Sequence, residues 1–248
     1  MRLLVINSNT SVSVTERVAE AARRFAASDT ELVFATGSFG ASVIATRAED
    51  AIGAHSTLDL VARHAGDCDG VMIAVSYDSG LRAARELIGK PTLALTEASL
   101  LAALTLGSRT GLVIWGHGVT SLYLEVIDSY GLGSRICGAR RVDLPIPDGP
   151  LAERRLNEAT LAAARDLIEK EEAEVIVLVG AVLSGRSIDL EPHLTVPVLD
   201  GLRCGMPMLE AMVRIAPRTA TSGSYAFPGG RESSGLSVEL SERLARVR

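Results

Sequence analysis

The sequence predicts an α/β protein built on parallel β-sheet. Short β-branched and aliphatic runs alternate with longer Ala-, Glu- and Arg-rich stretches of helical period, the pattern of repeated βα units. Hydrophobic residues make up 47% of the chain and aromatic residues only 4%. The core therefore rests on Ala, Val, Leu and Ile, the usual filling between a parallel sheet and its covering helices. A length of 248 residues accommodates one large α/β domain or two small ones.

In chain order, the run at 2–7 stays apolar until it meets Asn7 and Asn9, so it reads as a buried first strand and not as a signal peptide. Further aliphatic runs predict strands over 31–35, 70–75, 91–95, 110–114, 139–143, 174–180 and 196–199. Stretches of helical period predict helices over 12–27, 47–65, 80–88, 97–106, 118–130, 150–171, 203–215 and 235–246. The segment SYAFPGGRESSG is too rich in Gly, Pro and Ser to be regular and is predicted to form a surface loop before the last helix.

One internal echo stands out. VMIAVSYDSGLRAARELIGKPTLALTEAS and VIVLVGAVLSGRSIDLEPHLTVPVLDGLR both run strand, Ser-Gly loop, polar spacer, Pro, strand and a polar turn into a helix. Ser79-Gly80 matches Ser184-Gly185, Pro91 matches Pro197, and Leu93 matches Leu199. Two similar halves are implied, each ending a strand in a loop at the carboxyl edge of its sheet, where open α/β sheets bind ligands.

A net charge of −5, with no block of like charge, gives no footprint for nucleic acid or an anionic membrane. No run approaches the roughly 20 apolar residues of a membrane span. Cys68, Cys137 and Cys204 lie far apart without CxxC spacing, which argues against a zinc site or a disulfide framework and makes a reducing cytoplasm the expected compartment. A small-molecule substrate remains as the expected partner.

The residues able to carry chemistry fall at predicted strand ends. Asn7, Ser8, Asn9, Thr10 and Ser11 precede a helix, where polar side chains and helix amides can hold an anion or a carbonyl; capping alone would need only one of them. Ser76, Tyr77, Asp78 and Ser79 follow the third strand. Ser76 and Asp78 are candidate ligand donors or a nucleophile, although no GxSxG elbow surrounds them and such turns also use Ser and Asp to satisfy backbone amides. The mirror segment, Ala181, Val182, Leu183 and Ser184, offers nothing ionisable. Trp115, Gly116 and His117 follow the fifth strand; His117 is a candidate general acid or base and Trp115 an apolar wall. His55, His64 and His193 read as ordinary helix or loop residues. Cys204 opens a predicted helix, a place that lowers a thiol pKa, although a buried structural Cys is the commoner case.

These segments carry a resemblance. VINSNTS is similar to the Asn-Pro-Asn-Thr-Ser motif of hydantoin and allantoin racemases, in the aspartate/glutamate racemase superfamily, with Ser8 in place of Pro. The loop after VMIAV, LALTEAS, GSRTGLVI, the YGL helix end, PVLDGL and a Pro-Gly-rich loop ending in GLS follow in the family's order, so the resemblance spans essentially the whole chain. It implies two Rossmann-like lobes with parallel sheets related by a pseudo-twofold, taken as 1–96 together with 209–248 and as 97–208, with the active site in the cleft between them. It further implies chemistry without metal or nucleotide, and two thiols that act on opposite faces of a carbon next to a carbonyl.

Ser76 stands where the first thiol belongs and Ala181 matches the second; Ile114 and Trp115 replace a Thr pair. A Ser hydroxyl is a far weaker acid than a Cys thiol of pKa about 8.5, and a methyl group transfers no proton. The expected function is therefore a cofactor-independent enzyme acting beside or upon a carbonyl of a small cyclic amide, ureide or carboxylate. Its catalytic candidates are Ser76, His117 and Asp78. Its substrate-binding candidates are Asn7, Asn9, Thr10, Tyr77, Ser79, Trp115, Gly116, Ala181, Val182 and Leu183. A hydrolase or lyase using His117 and Ser76, and a catalytically dead ligand-binding member, stand as alternatives. A homo-oligomer is expected.

Overall fold

The computed structural model describes residues 1–116, 120–226 and 230–246. Two four-stranded parallel sheets organise the chain. The first has the order β2-β1-β3-β4, with β1 (Arg2–Asn7), β2 (Glu31–Thr36), β3 (Gly70–Ile73) and β4 (Thr92–Ala94). The second has the order β6-β5-β7-β8, with β5 (Thr110–Trp115), β6 (Ile136–Val142), β7 (Val175–Val179) and β8 (Val198–Asp200). Helices α1 (Val12–Phe25), α2 (Arg47–His64), α3 (Leu81–Ile88) and α4 (Leu95–Ala103) alternate with the first four strands. Helices α5 (Thr120–Ser129), α6 (Pro150–Glu171), the short α7 (Ser187–Leu190) and α8 (Gly201–Ile215) do so with the second four, and α9 (Val238–Ala245) closes the described chain.

The inner strands β1, β3, β5 and β7 are buried on both faces, as parallel strands between helices are, while the edge strand β6 carries Arg140 and Arg141. Leu3, Leu4, Val5 and Ile6 are all buried, with Leu4 and Ile6 in one core cluster and Leu3 and Val5 in another. The first cluster also takes Leu112, Ile114, Val175 and Val177 from the second sheet and Leu100 and Ala103 from α4, so the sheets share a core through that helix. The chain then returns to the first sheet through α8, whose Leu202, Met206 and Leu209 pack with Leu3, Val5 and Met72.

The internal echo is a structural repeat. In β3 and β4 Met72 pairs with Leu93, and in β7 and β8 Val177 pairs with Leu199. The Val71 amide donates to the Pro91 carbonyl, and the Ile176 amide donates to the Pro197 carbonyl, each at 2.9 Å. Gly80 and Gly185 both have positive φ, +77° and +84°, which their turns require and Gly adopts without strain.

Two helices start two residues earlier than expected. The helix predicted over 97–106 begins at Leu95, because the Asp78 carboxylate, far away in sequence, accepts from the Thr96 amide at 3.0 Å and the Glu97 amide at 2.8 Å. The helix predicted over 203–215 begins at Gly201, because Asp200 caps it by accepting from the Leu202 and Arg203 amides. Strand β6 starts three residues before the predicted 139, at the edge of its sheet. Helix α7, one turn long, is too short to leave a periodic signal.

Candidate active site

The carboxyl ends of the strands meet around a cavity of about 590 Å³ between the two sheets. Asn9 follows β1, the 41–45 segment follows β2, Ser76 and Tyr77 follow β3, Trp115 and Gly116 end β5, residues 144–146 follow β6, and Ala181 and Val182 follow β7. Of the expected site residues, Asn9, Ser76, Tyr77, Trp115, Gly116, Ala181 and Val182 line this cavity. Asn7, Thr10, Asp78, Ser79 and Leu183 lie outside its lining. His117 falls outside the described residues.

The residues off the lining hold the others. Asn7 is buried and donates from Nδ2 to Asn9 Oδ1 at 2.8 Å and Thr15 Oγ1 at 3.1 Å. Asn9 Oδ1 also accepts from the Ser11 amide at 2.9 Å. These contacts engage the amide oxygen of Asn9, so donation from its NH2 is what it can offer a ligand. Ser11 caps α1 by accepting from the Val14 amide. Ser79 Oγ donates to Asp50 Oδ1 at 2.5 Å, and the Ser79 carbonyl accepts from Thr57 Oγ1 at 2.8 Å.

Asp78 is fully engaged away from the cavity. Besides the two α4 amides, its Oδ2 accepts from the Tyr130 hydroxyl at 2.7 Å. Its φ of +54° is left-handed, a conformation Asp tolerates better than most residues. Burial pushes its carboxyl up to about 7, against the hydrogen bonds from Tyr130 and the two amides that favour the charged form.

The hydroxyl-bearing residues Ser76, Tyr77 and Tyr123 lie on the cavity lining. Ser76 Oγ, Tyr77 Oη and Trp115 Nε1 are themselves buried within the wall. The Tyr77 ring stacks on Tyr123 with centroids 4.2 Å apart, and the Tyr123 phenol lies beside Ser76. Burial raises both phenols above their ordinary range, so they remain proton donors at neutral pH. Across the cavity Gly180 has φ of +124°, and a Cβ there would lie 3.1 Å from Trp115 Cβ. A side chain at 180 would thus strain the backbone and press the indole that lines the site.

No cysteine lines the cavity. Cys68 is buried in the shared core, and Cys137 lies on β6. Cys204 is pushed up to about 12, by burial first and then by the charge of Asp200, so position near a helix start does not activate it. Among the described residues no group of His, Cys, Asp or Glu is arranged to hold a metal ion, and no helix is long and apolar enough to cross a membrane.

Several lining residues were not singled out from the sequence: Ile44, Glu49, Tyr123, Leu144, Pro145 and Ile146. The signal that could have found most of them is the strand-end rule applied to β2 and β6 as well, since VDLPIP follows the sixth strand. Glu49 and Tyr123 enter from helices, and sequence spacing carries no sign of that approach.

The chain is similar to solved and curated proteins over nearly its whole length. The allantoin racemase from Klebsiella pneumoniae superposes with a TM-score of 0.88 at 30% identity, covering 97% of this chain and 98% of its own. The allantoin racemase AllR from Pseudomonas fluorescens gives a TM-score of 0.89 at 29% identity, covering 95% and 100%. The hydantoin racemase of Pseudomonas sp. (strain NS671) is 29% identical over 239 residues, 94% of each chain. The sequence profile described as Asp/Glu/Hydantoin racemase matches residues 3–209, and the chain belongs to that family.

Proposed function

We propose that the chain is an enzyme acting at or beside the carbonyl of a small cyclic amide, ureide or carboxylate, without a cofactor, and with its proton chemistry on one face of the cleft. The observation that carries this reading is the inequality of the two walls. Among the described residues, Ser76 and Tyr77 after β3 carry hydroxyls, while Ala181 and Val182 after β7 carry only alkyl side chains. Racemisation by two bases takes a proton from one face of a carbon and returns it to the opposite face, and a methyl group can do neither.

In this reading the Ser76 and Tyr77 hydroxyls turn from the wall to donate to the substrate carbonyl, where negative charge develops. His117, which follows Gly116 just past the end of β5, is the single general acid or base, so protons move at one face only. Incubation with hydantoins, allantoin and related small amides in D2O, followed by optical rotation and NMR, tests the reading. A hydrolysed or eliminated product, or one-sided exchange with retained rotation, is the expected result. Loss of rotation with exchange and no product would overturn it.

A further inference from the structure

The cleft carries one charge among its described lining residues, and nothing in the reaction proposed above uses it. Glu49 stands in the first turn of α2, and no Lys, Arg or His joins it on the described lining. The rest of that wall is apolar, with Val43, Ile44 and Ile146. We infer that Glu49 selects substrates whose substituent is positively charged, and that the cleft discriminates against anionic ones. The identity of the core group, a carbonyl compound, rests on the reading above; the charge selection rests on the lining alone.

The local structure fixes this carboxylate in place. Glu49 and Thr46 form a capping box, with Thr46 Oγ1 accepting from the Glu49 amide at 3.2 Å. Glu49 Oε2 accepts from the Ala45 amide at 2.8 Å and the Thr46 amide at 2.9 Å. Both backbone donors fall on one oxygen, so Oε1 is the atom left for a ligand. Neighbouring cations are engaged elsewhere: Arg47 pairs with Glu125, and Arg17 pairs with Glu153 at 2.8 Å. The field of this wall reaches the reacting end, since the charges of Asp50 and Glu49 both help to raise the Tyr77 phenol. A partly enclosed carboxylate with no counter-charge among the described lining residues attracts a cation and repels an anion more strongly than one in open water.

Glu49→Gln tests the inference without breaking the helix start, because Gln also closes a capping box. The probes are hydantoins bearing an aminopropyl, a butyl or a carboxyethyl substituent, measured for Kd by calorimetry at neutral pH and low salt, and for chemistry in D2O. The native protein should bind the aminopropyl compound about tenfold more tightly than the butyl one, and the carboxyethyl compound most weakly, a gap that shrinks with added salt. Glu49→Gln should collapse the ranking, weakening the aminopropyl compound toward the butyl one and tightening the carboxyethyl compound toward it. An anion bound as well as the cation, a ranking that survives Glu49→Gln, or no binding of any probe overturns the inference. Chemistry with no charge ranking defeats this inference and spares the proposed reaction; ranking with racemisation does the reverse.

Discussion

Replacing Asp78 by Asn separates its structural charge from the chemistry next door. The carboxyl sits at about 7 in the folded protein instead of its ordinary 3.8, with burial as the first cause. Because the folded value is raised, the neutral carboxyl favours folding. That stability is fully present below the unfolded value near 4 and is lost as pH rises through about 7. Moving a pKa that far corresponds to about 4 kcal/mol, taking about 1.4 kcal/mol for each tenfold change. Asn does not titrate, so the stability difference between native protein and Asp78→Asn should shrink or invert by up to about 4 kcal/mol between pH 4 and pH 8. Asn also turns its NH2 either toward the Thr96 amide or toward the Glu97 amide and Tyr130 hydroxyl together, adding a cost of about 1–3 kcal/mol that does not vary with pH. Urea unfolding of both proteins across this range, read as the difference in free energy at each pH, isolates the residue from every other titrating group. A difference that stays flat from pH 4 to pH 8 would refute the assignment. A difference that instead grew with pH below about 4 would show that the hydrogen bonds, and not burial, set the carboxyl.

The same residue shows what the sequence could and could not disclose. Strand positions and the half-repeat were legible, because parallel strands buried on both faces read as short aliphatic runs, and because the pairs Met72 with Leu93 and Val177 with Leu199 repeat a pattern of Pro and Leu spacing. The cluster at 76–79 was visible as a polar strand end, but which of its members face the cavity was not. Side chains of consecutive loop residues diverge: Ser76 and Tyr77 enter the cleft, Asp78 turns to α4, and Ser79 turns to Asp50. Asp78 and Asp200 satisfy corresponding amides at the starts of α4 and α8, yet one comes from a loop before the preceding helix and the other from the cap position itself. A cap reaching across 18 residues leaves no local signature at the start of α4, whereas α8 carries its Asp200-Gly201 cap in the local sequence. In the Asn-rich opening Asn7, Asn9 and Ser11 bind one another, and of Asn7, Asn9 and Thr10 it is Asn9 that lies on the cavity lining.

Gly180→Ala should lower stability by about 1–3 kcal/mol, read as a fall in Tm, because φ of +124° and the contact with Trp115 both oppose a Cβ; an unchanged Tm would mean the turn relaxes freely. Alkylation with iodoacetamide should leave turnover intact, since no cysteine lines the cavity and Cys204 is pushed up to about 12; loss of activity in step with one modified thiol would place chemistry outside this cleft. The double replacement Ser76→Cys with Ala181→Cys bears most directly on the reaction. The two positions end β3 and β7 and line one cavity from opposite sheets, so thiols there would flank a bound carbon from both faces. A thiol with pKa of about 8.5 can exchange a proton near neutrality where a hydroxyl or a methyl cannot, so the double variant should gain racemisation of a substituted hydantoin in D2O, with one deuterium incorporated per inversion. Each single variant should show less than about a hundredth of that rate, because either alone leaves one face without a base. Racemisation by the native protein at the rate of the double variant would mean that the cleft already holds two competent bases, and the reading of its walls as unequal would fall with it.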